Sequence, residues 1–169
     1  LMENRGRIVA CDIYEHKLQR VMENAARLGI NIIDPMLKDA REIHQDFSQQ
    51  ADRVLVDAPC SGLGVLRRKP DSRWRKTQQL LKELPELQLE ILQSAAACVK
   101  PGGILVYSTC TIAREENQAV VEKFLKDNAK FQLEHTGSRL PVPREDAMVQ
   151  LYPQRDGTDG FFIACMRRK

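Results

Sequence analysis

Short apolar runs that end in polar or acidic residues alternate along this chain with segments of helical periodicity. Arg7-Ile8-Val9-Ala10-Cys11-Asp12 reads as a buried strand closing on an acid, and Leu18, Val21, Met22, Ala25 and Leu28 then recur at helical spacing over 15–28, with Gly29 as a stop. Asn31 to Leu37 is the next strand candidate, with Pro35 confining it to an edge or ending it early. Arg53-Val54-Leu55-Val56-Asp57 reads as a fully buried strand running into the loop Ala58 to Gly64. Two helical pieces follow, one on Leu80, Leu81 and Leu84 and one opened by Pro85 and running to Val99, after which Pro101-Gly102-Gly103 is a stop. Ile104 to Ser108 is the clearest strand. Glu115 and Glu116 are placed to open an amphipathic helix bearing Val120, Val121, Phe124 and Leu125, where acids favour the N-terminus. Phe131 to His135 and Gly160 to Met166 are the last strand candidates.

This alternation predicts an α/β domain with a mainly parallel sheet and helices on both faces. Ligands collect at the carboxyl ends of such strands, where Asp12, Asp57 and Cys110 fall. The length of 169 residues has room for one such domain. No apolar run approaches the ~20 residues of a membrane span, and no signal-peptide pattern is present, so a cytoplasmic protein is expected. The start Leu1-Met2-Glu3-Asn4 resembles the end of a helix, and the chain is therefore expected to be part of a larger domain.

Charge changes this picture locally. The net charge is only +3, yet Arg67 to Lys76 holds six cations (Arg67, Arg68, Lys69, Arg73, Arg75 and Lys76) against Asp71, with Trp74 among them. Such a stretch suits a phosphate backbone, although a solvated loop without a specific partner has the same composition. The five cysteines, Cys11, Cys60, Cys98, Cys110 and Cys165, form no C-x-x-C pair, so neither a disulfide framework nor a metal site is expected. Cys11, Cys98 and Cys165 lie in apolar runs and read as packing residues. Cys60 and Cys110 instead follow strands, among small and hydroxyl residues where backbone N–H groups can stabilise a thiolate. Asp12 can accept hydrogen bonds from a ribose diol or cap the following helix.

Asp57-Ala58-Pro59-Cys60-Ser61-Gly62-Leu63-Gly64, Lys100 to Thr111, Glu115-Glu116-Asn117 and Thr158-Asp159-Gly160-Phe161-Phe162, taken together, closely resemble the RNA cytosine-C5 methyltransferases. This Nop2/Sun family includes the bacterial Sun/Fmu (RsmB-type) 16S ribosomal RNA enzymes, to which the match looks nearest. The resemblance implies a Rossmann-like class I S-adenosylmethionine-dependent methyltransferase fold, with ribosomal RNA as partner. It implies that Cys110 attacks C6 of cytosine, that Asp57 bonds the base near N3, and that Cys60 assists loss of the C5 proton and release of Cys110. Asp12 and Asp39 would face the cofactor ribose and adenine, with Asp57 beside them, and Pro59 and Gly62 would shape the loop under the base. Arg67, Arg68, Lys69, Arg73, Trp74 and Arg75 would lie near the RNA strand.

The family's glycine-rich cofactor motif and the strand that carries it are not in these residues, nor is its N-terminal RNA-binding domain. Residues 1–169 are therefore expected to form a partial catalytic domain that binds the cofactor weakly or not at all, whose sheet closes a gap, exposes it or fills it from a neighbour. Three other readings compete. A DNA cytosine methyltransferase would promote Pro59-Cys60 to nucleophile and leave Thr109-Cys110 without a purpose. A dehydrogenase using Asp12 would leave both strand-end thiols unexplained. A non-catalytic RNA-binding module would keep the basic surface alone.

Overall fold

The computed structural model describes residues 2–75, 77–135 and 146–169, apart from the side chains of Ser72, Arg73, Arg75, Gln78 and Leu80. In chain order the elements are β1 (Ile8–Asp12), α1 (Glu15–Arg27), β2 (Ile33–Leu37), a 3₁₀ turn (Ala40–Glu42), α2 (His44–Phe47), β3 (Ala51–Asp57), two 3₁₀ segments (Leu63–Val65 and Pro70–Arg75), α3 (Gln78–Cys98), β4 (Val99–Thr109), α4 (Gln118–Asp127), β5 (Phe131–Glu134), β6 (Met148–Leu151), α5 (Pro153–Asp156) and β7 (Phe161–Arg168). No described helix is long and apolar enough to cross a membrane.

The strands form two sheets. β1 and β2 pair in parallel, Ile8 opposite Ile33 and Asp12 opposite Leu37. The other sheet has the order β3-β4-β7-β5, with β6 also on β7. β3 runs parallel to β4, but β7 is antiparallel to β4, β5 and β6, so the expected mainly parallel sheet is a mixed one. The reason lies in the connections: the link from β6 to β7 holds only the four-residue α5 and short turns, whereas a parallel crossover needs about a dozen residues or more. Among the described residues no ladder joins β1 to β3. β3 is left as an open edge of the larger sheet among the described residues.

That opening corrects two readings. α3 and α4 pack together against one face of the larger sheet, where Val56, Leu105, Tyr107, Phe162, Ala164 and Met166 join Leu92, Val121 and Phe124 in one core. α1 packs on β1 and β2 instead. The described helices α3 and α4 thus cover one face of the larger sheet, and β3 is not fully buried: Leu55 is 69% exposed, while Ile104, Val106 and Ile163 are half-buried.

Two further departures come from tertiary packing overriding local punctuation. α3 is one helix with Pro85 inside it, not two pieces. An interior proline removes one backbone hydrogen bond and costs about 3 kcal/mol, but Leu84, Leu89 and Leu92 are buried on either side, each contributing roughly 1.5–3 kcal/mol. Pro101-Gly102-Gly103 lies within β4, where pairing passes from Ala51–Val99 to Arg53–Ile104. The extra residues form an irregularity in the ladder, with Gly102 at φ +77°.

Candidate active site

Parallel pairing of β3 with β4 puts Asp57 opposite Ser108, and the Ala58 N–H still donates to the Ser108 carbonyl at 2.9 Å. The two chains then diverge over two or three residues and bring Cys60 Sγ to 3.3 Å from Cys110 Sγ. Both thiols are half-buried and unoxidised. Ser108 Oγ donates to Asp57 Oδ1 at 3.3 Å, setting the carboxylate at the rim of the same strand ends. Asp57, Cys60 and Cys110 are thus brought together.

The shared hydrogen bond makes the two thiols unequal. Donation from Cys60 lowers the Cys110 thiol to about 7, against opposing contributions from burial and the Asp57 charge, with Lys69 helping to lower it. The same bond, then burial, pushes the Cys60 thiol far up. The pairing thus pushes Cys60 toward the thiol form and Cys110 toward the thiolate form.

Behind the thiols lies a buried polar scaffold. Glu116 is 1% exposed; its Oε2 accepts from the Ser61 N–H at 2.8 Å and from Gln88 Nε2 at 3.0 Å, and its Oε1 accepts from Thr111 Oγ1 at 3.4 Å. Ser61 Oγ and Thr111 Oγ1 are hydrogen-bonded at 2.8 Å, and Tyr107 Oη donates to the Glu116 carbonyl at 2.6 Å. The next residue, Asn117, serves the other chain. Its Oδ1 accepts from Thr109 Oγ1 at 2.5 Å, while its Nδ2 donates to the Thr111 carbonyl at 3.0 Å and to Gln150 Oε1 at 2.7 Å. Gln150 Nε2 donates to the same Thr111 carbonyl at 3.3 Å.

Sequence reasoning missed this scaffold. Glu116 was expected to act on a helix N-terminus, but α4 begins at Gln118 and Glu116 precedes it, facing inward. The available signal was Gln88, which sits four residues from both Leu84 and Leu92 on the apolar stripe of α3. A polar residue in such a stripe must find buried partners.

The basic loop is stitched to this centre by backbone. The Gly64 N–H donates to the Cys110 carbonyl at 3.0 Å and the Gly160 N–H to the Gly64 carbonyl at 2.9 Å. A Cβ on Gly64 would lie 2.0 Å from the Gly160 oxygen and 2.8 Å from that of Cys110, so only glycine fits. Arg67 and Arg68 bond the two oxygens of Asp159 at 2.8 and 2.9 Å, holding its carboxyl below the usual range. They are therefore not free cations. Lys69 is exposed and Trp74 is 84% exposed, whereas the side chains of Arg73 and Arg75 and all of Lys76 lie outside the described residues.

Asp12 and Asp39 belong to the smaller sheet. Asp12 ends β1, its Oδ1 accepting from the Tyr14 N–H at 2.9 Å and its Oδ2 lying 3.2 Å from Lys17 Nζ. Asp39 caps the 3₁₀ turn through the Arg41 N–H and pairs with the Arg41 guanidinium, which holds its carboxyl low. A carboxylate has about four acceptor positions, so Asp12 retains capacity for a diol. Its chemistry fits the ribose of a nucleoside cofactor; Asp39 has less left to offer. Among the other thiols, Cys98 and Cys165 are buried as expected, and half-buried Cys11 donates to the Lys38 carbonyl at 3.2 Å.

Comparison with known proteins bears on this geometry. A family model described as 16S rRNA methyltransferase RsmB/F matches residues 1–167. The "Probable ribosomal RNA small subunit methyltransferase B" of Bacillus subtilis (strain 168) is 44% identical over 175 residues, covering 100% of this chain and 39% of that protein. The crystal structure of PH0851 superposes with a TM-score of 0.92 at 37% identity over 99% of this chain and 38% of its own. NSun6 from Pyrococcus horikoshii, solved with SFG, superposes with a TM-score of 0.84 at 33% identity over 99% of this chain and 42% of its own. The chain spans about two fifths of the length of the curated relatives it matches. The fold is the Rossmann-like class I methyltransferase fold expected from the motifs.

Proposed function

The chain belongs to the 16S rRNA methyltransferase RsmB/F family, and from that premise we propose that the protein methylates C5 of a cytosine in small-subunit ribosomal RNA, with Cys110 as nucleophile. The observation that carries this reading is the 3.3 Å thiol pair, in which one sulfur is disposed to be a thiolate and the other to keep its proton.

Cytosine C5 is a poor nucleophile until a thiolate adds to the ring, and attack by Cys110 at C6 forms an S–C6 bond and moves electron density toward C5 and N3. Asp57, at the end of β3, bonds the base near N3 and steadies that density. Bound S-adenosylmethionine supplies the methyl group, held at its ribose by Asp12 and at its adenine side by Asp39. In release, Cys60 S–H gives its proton to the departing Cys110 sulfur as the S–C6 bond breaks, and the Cys60 sulfur so freed takes the C5 proton while the C5–C6 double bond re-forms, leaving both cysteines as thiols. The reverse assignment, with Cys60 as nucleophile, requires a thiolate at the sulfur that the bond to its partner and burial both push up.

The target base must leave its stack to reach these strand ends, which suits unpaired RNA. Beyond the Cys60 loop, exposed Lys69 and the exposed indole of Trp74 face that strand in this reading, with Arg73 and Arg75 as further candidates and Arg67 and Arg68 held on Asp159. The test is to incubate the full-length protein with S-adenosylmethionine and small-subunit ribosomal RNA and digest the RNA for mass spectrometry. The expected product is 5-methylcytosine. A methyl group on a ring nitrogen or ribose, or none, would overturn the proposal.

A further inference from the structure

The buried scaffold has two adjacent members that reach different chains. Glu116 Oε2 takes the N–H of Ser61, the peptide that immediately follows Cys60, and is itself braced by Gln88, which also donates to the Pro59 carbonyl at 2.9 Å. Among the described residues, the Glu116 carboxylate reaches the Cys110 side through the longer contact to Thr111 Oγ1. Among the described residues Asn117 has no hydrogen bond to the Cys60 loop; its bonds go to Thr109 Oγ1 and the Thr111 carbonyl, the residues on either side of Cys110, and Gln150 supports it. Pro59 and Ser61 flank one thiol, Thr109 and Thr111 the other. A buried acceptor that loses its donor carries the full desolvation penalty, so each clamp holds its own chain firmly.

We propose that Glu116 and Asn117 are positioning residues with separate charges: Glu116 orients Cys60 for product release, and Asn117 orients Cys110 for attack. The assignment rests on the roles proposed above for the two cysteines. Loss of the Glu116 clamp slows the second half of the reaction and leaves RNA attached to Cys110. Loss of the Asn117 clamp slows the first half and leaves RNA unattached.

The experiment compares Cys60→Ala, Glu116→Asp, Glu116→Gln and Asn117→Ala in the full-length protein with S-adenosylmethionine and small-subunit ribosomal RNA, scoring covalent complex on a denaturing gel against methyl groups transferred. Glu116→Asp, one methylene short of the Ser61 N–H, is expected to accumulate complex as Cys60→Ala does, with release slowed on the order of tenfold or more. Glu116→Gln keeps an oxygen for Ser61 and Gln88 and an amine for Thr111 Oγ1, and is expected to restore release to within about twofold. Asn117→Ala is expected to form less complex and transfer proportionately less methyl. Gln150→Ala, which removes a second donor to the Thr111 carbonyl, replaces it if Asn117→Ala melts below the assay temperature.

A readout without RNA or cofactor is oxidation of the pair by diamide, which takes two electrons and two protons from the thiols to form the Cys60–Cys110 disulfide. Glu116→Asp and Asn117→Ala are each expected to slow it on the order of tenfold, because the sulfurs no longer meet, while Glu116→Gln does not. If Cys60→Ala itself accumulates no complex, the assigned cysteine roles fail. If it does, and Glu116→Asp and Asn117→Ala share one phenotype or oxidise at the wild-type rate, the division between Glu116 and Asn117 is overturned.

Discussion

The two sheets treat their functional side chains differently. In the larger one, the thiols sit on chains fixed by backbone pairing on β3 and β4, by the Gly64–Gly160 crossing and by fully buried Glu116 and Asn117. In the smaller one, Asp12 and Asp39 stand on a two-stranded ladder and satisfy themselves with nearby, solvent-accessible partners, Lys17 and Arg41. The covalent chemistry proposed for the thiols tolerates little displacement, and they are set by interactions that cannot be exchanged for water. Groups suited to hydrogen-bonding a nucleoside need only present acceptors, and exposed ion pairs that a ligand can displace contribute little to stability.

Glycine substitution separates the two regions most strongly. Gly64→Ala forces a Cβ into the Gly160 backbone and is expected to destabilise the fold by about 3 kcal/mol or more, read as a fall in denaturation midpoint. Gly29→Ala, at φ +66° with open space around it, is expected to cost about 1–2 kcal/mol from backbone conformation alone. Equal losses would mean that the thiol loops are no more tightly packed than the smaller sheet.

The next largest effect is electrostatic and confined to the thiol pair. Thiolate is the reactive form, so alkylation of Cys110 by iodoacetamide should rise with pH through a midpoint at about 7 and level roughly one unit above it. Removing the donor in Cys60→Ala is expected to move that midpoint up toward the ordinary thiol value of about 8.5, slowing alkylation at neutral pH on the order of tenfold. Cys98, raised to about 11 by burial, and Cys11, raised by burial and the Asp12 charge, should react slowly enough to leave the Cys110 signal clear. An unchanged midpoint would mean that the sulfurs do not share a proton.

Asp12→Asn is expected to change stability by less than about 0.5 kcal/mol while weakening S-adenosylmethionine binding to the full-length protein on the order of tenfold, measured by calorimetry. A large stability loss with unchanged binding would place Asp12 among the structural residues.

The legible parts of this molecule were those written in local pattern. Cys60, Cys110 and Asp57 announce themselves as reactive groups just past apolar runs, and the strand ends do bring them together. The single helix through Pro85 and the strand through Pro101-Gly102-Gly103 were not legible, because long-range burial outweighs local breakers there. β6 hides in a stretch where Val149 is buried and Gln150 is held by hydrogen bonds to Thr111, Leu151 and Phe161, a pattern no alternation reveals. Glu116 carries the same charge as Glu115 beside it; only its inward orientation distinguishes it. The Arg67 to Lys76 charge run suggested free cations, but Asp159, some 90 residues away, claims Arg67 and Arg68.

The most direct test of the division of labour between the thiols is a denaturing gel of the full-length protein incubated with S-adenosylmethionine and small-subunit ribosomal RNA. Cys60→Ala is predicted to retain RNA covalently, while Cys110→Ala and the Cys60→Ala/Cys110→Ala double variant retain none. Retention by Cys110→Ala and its absence in Cys60→Ala would contradict the account and make Cys60 the nucleophile.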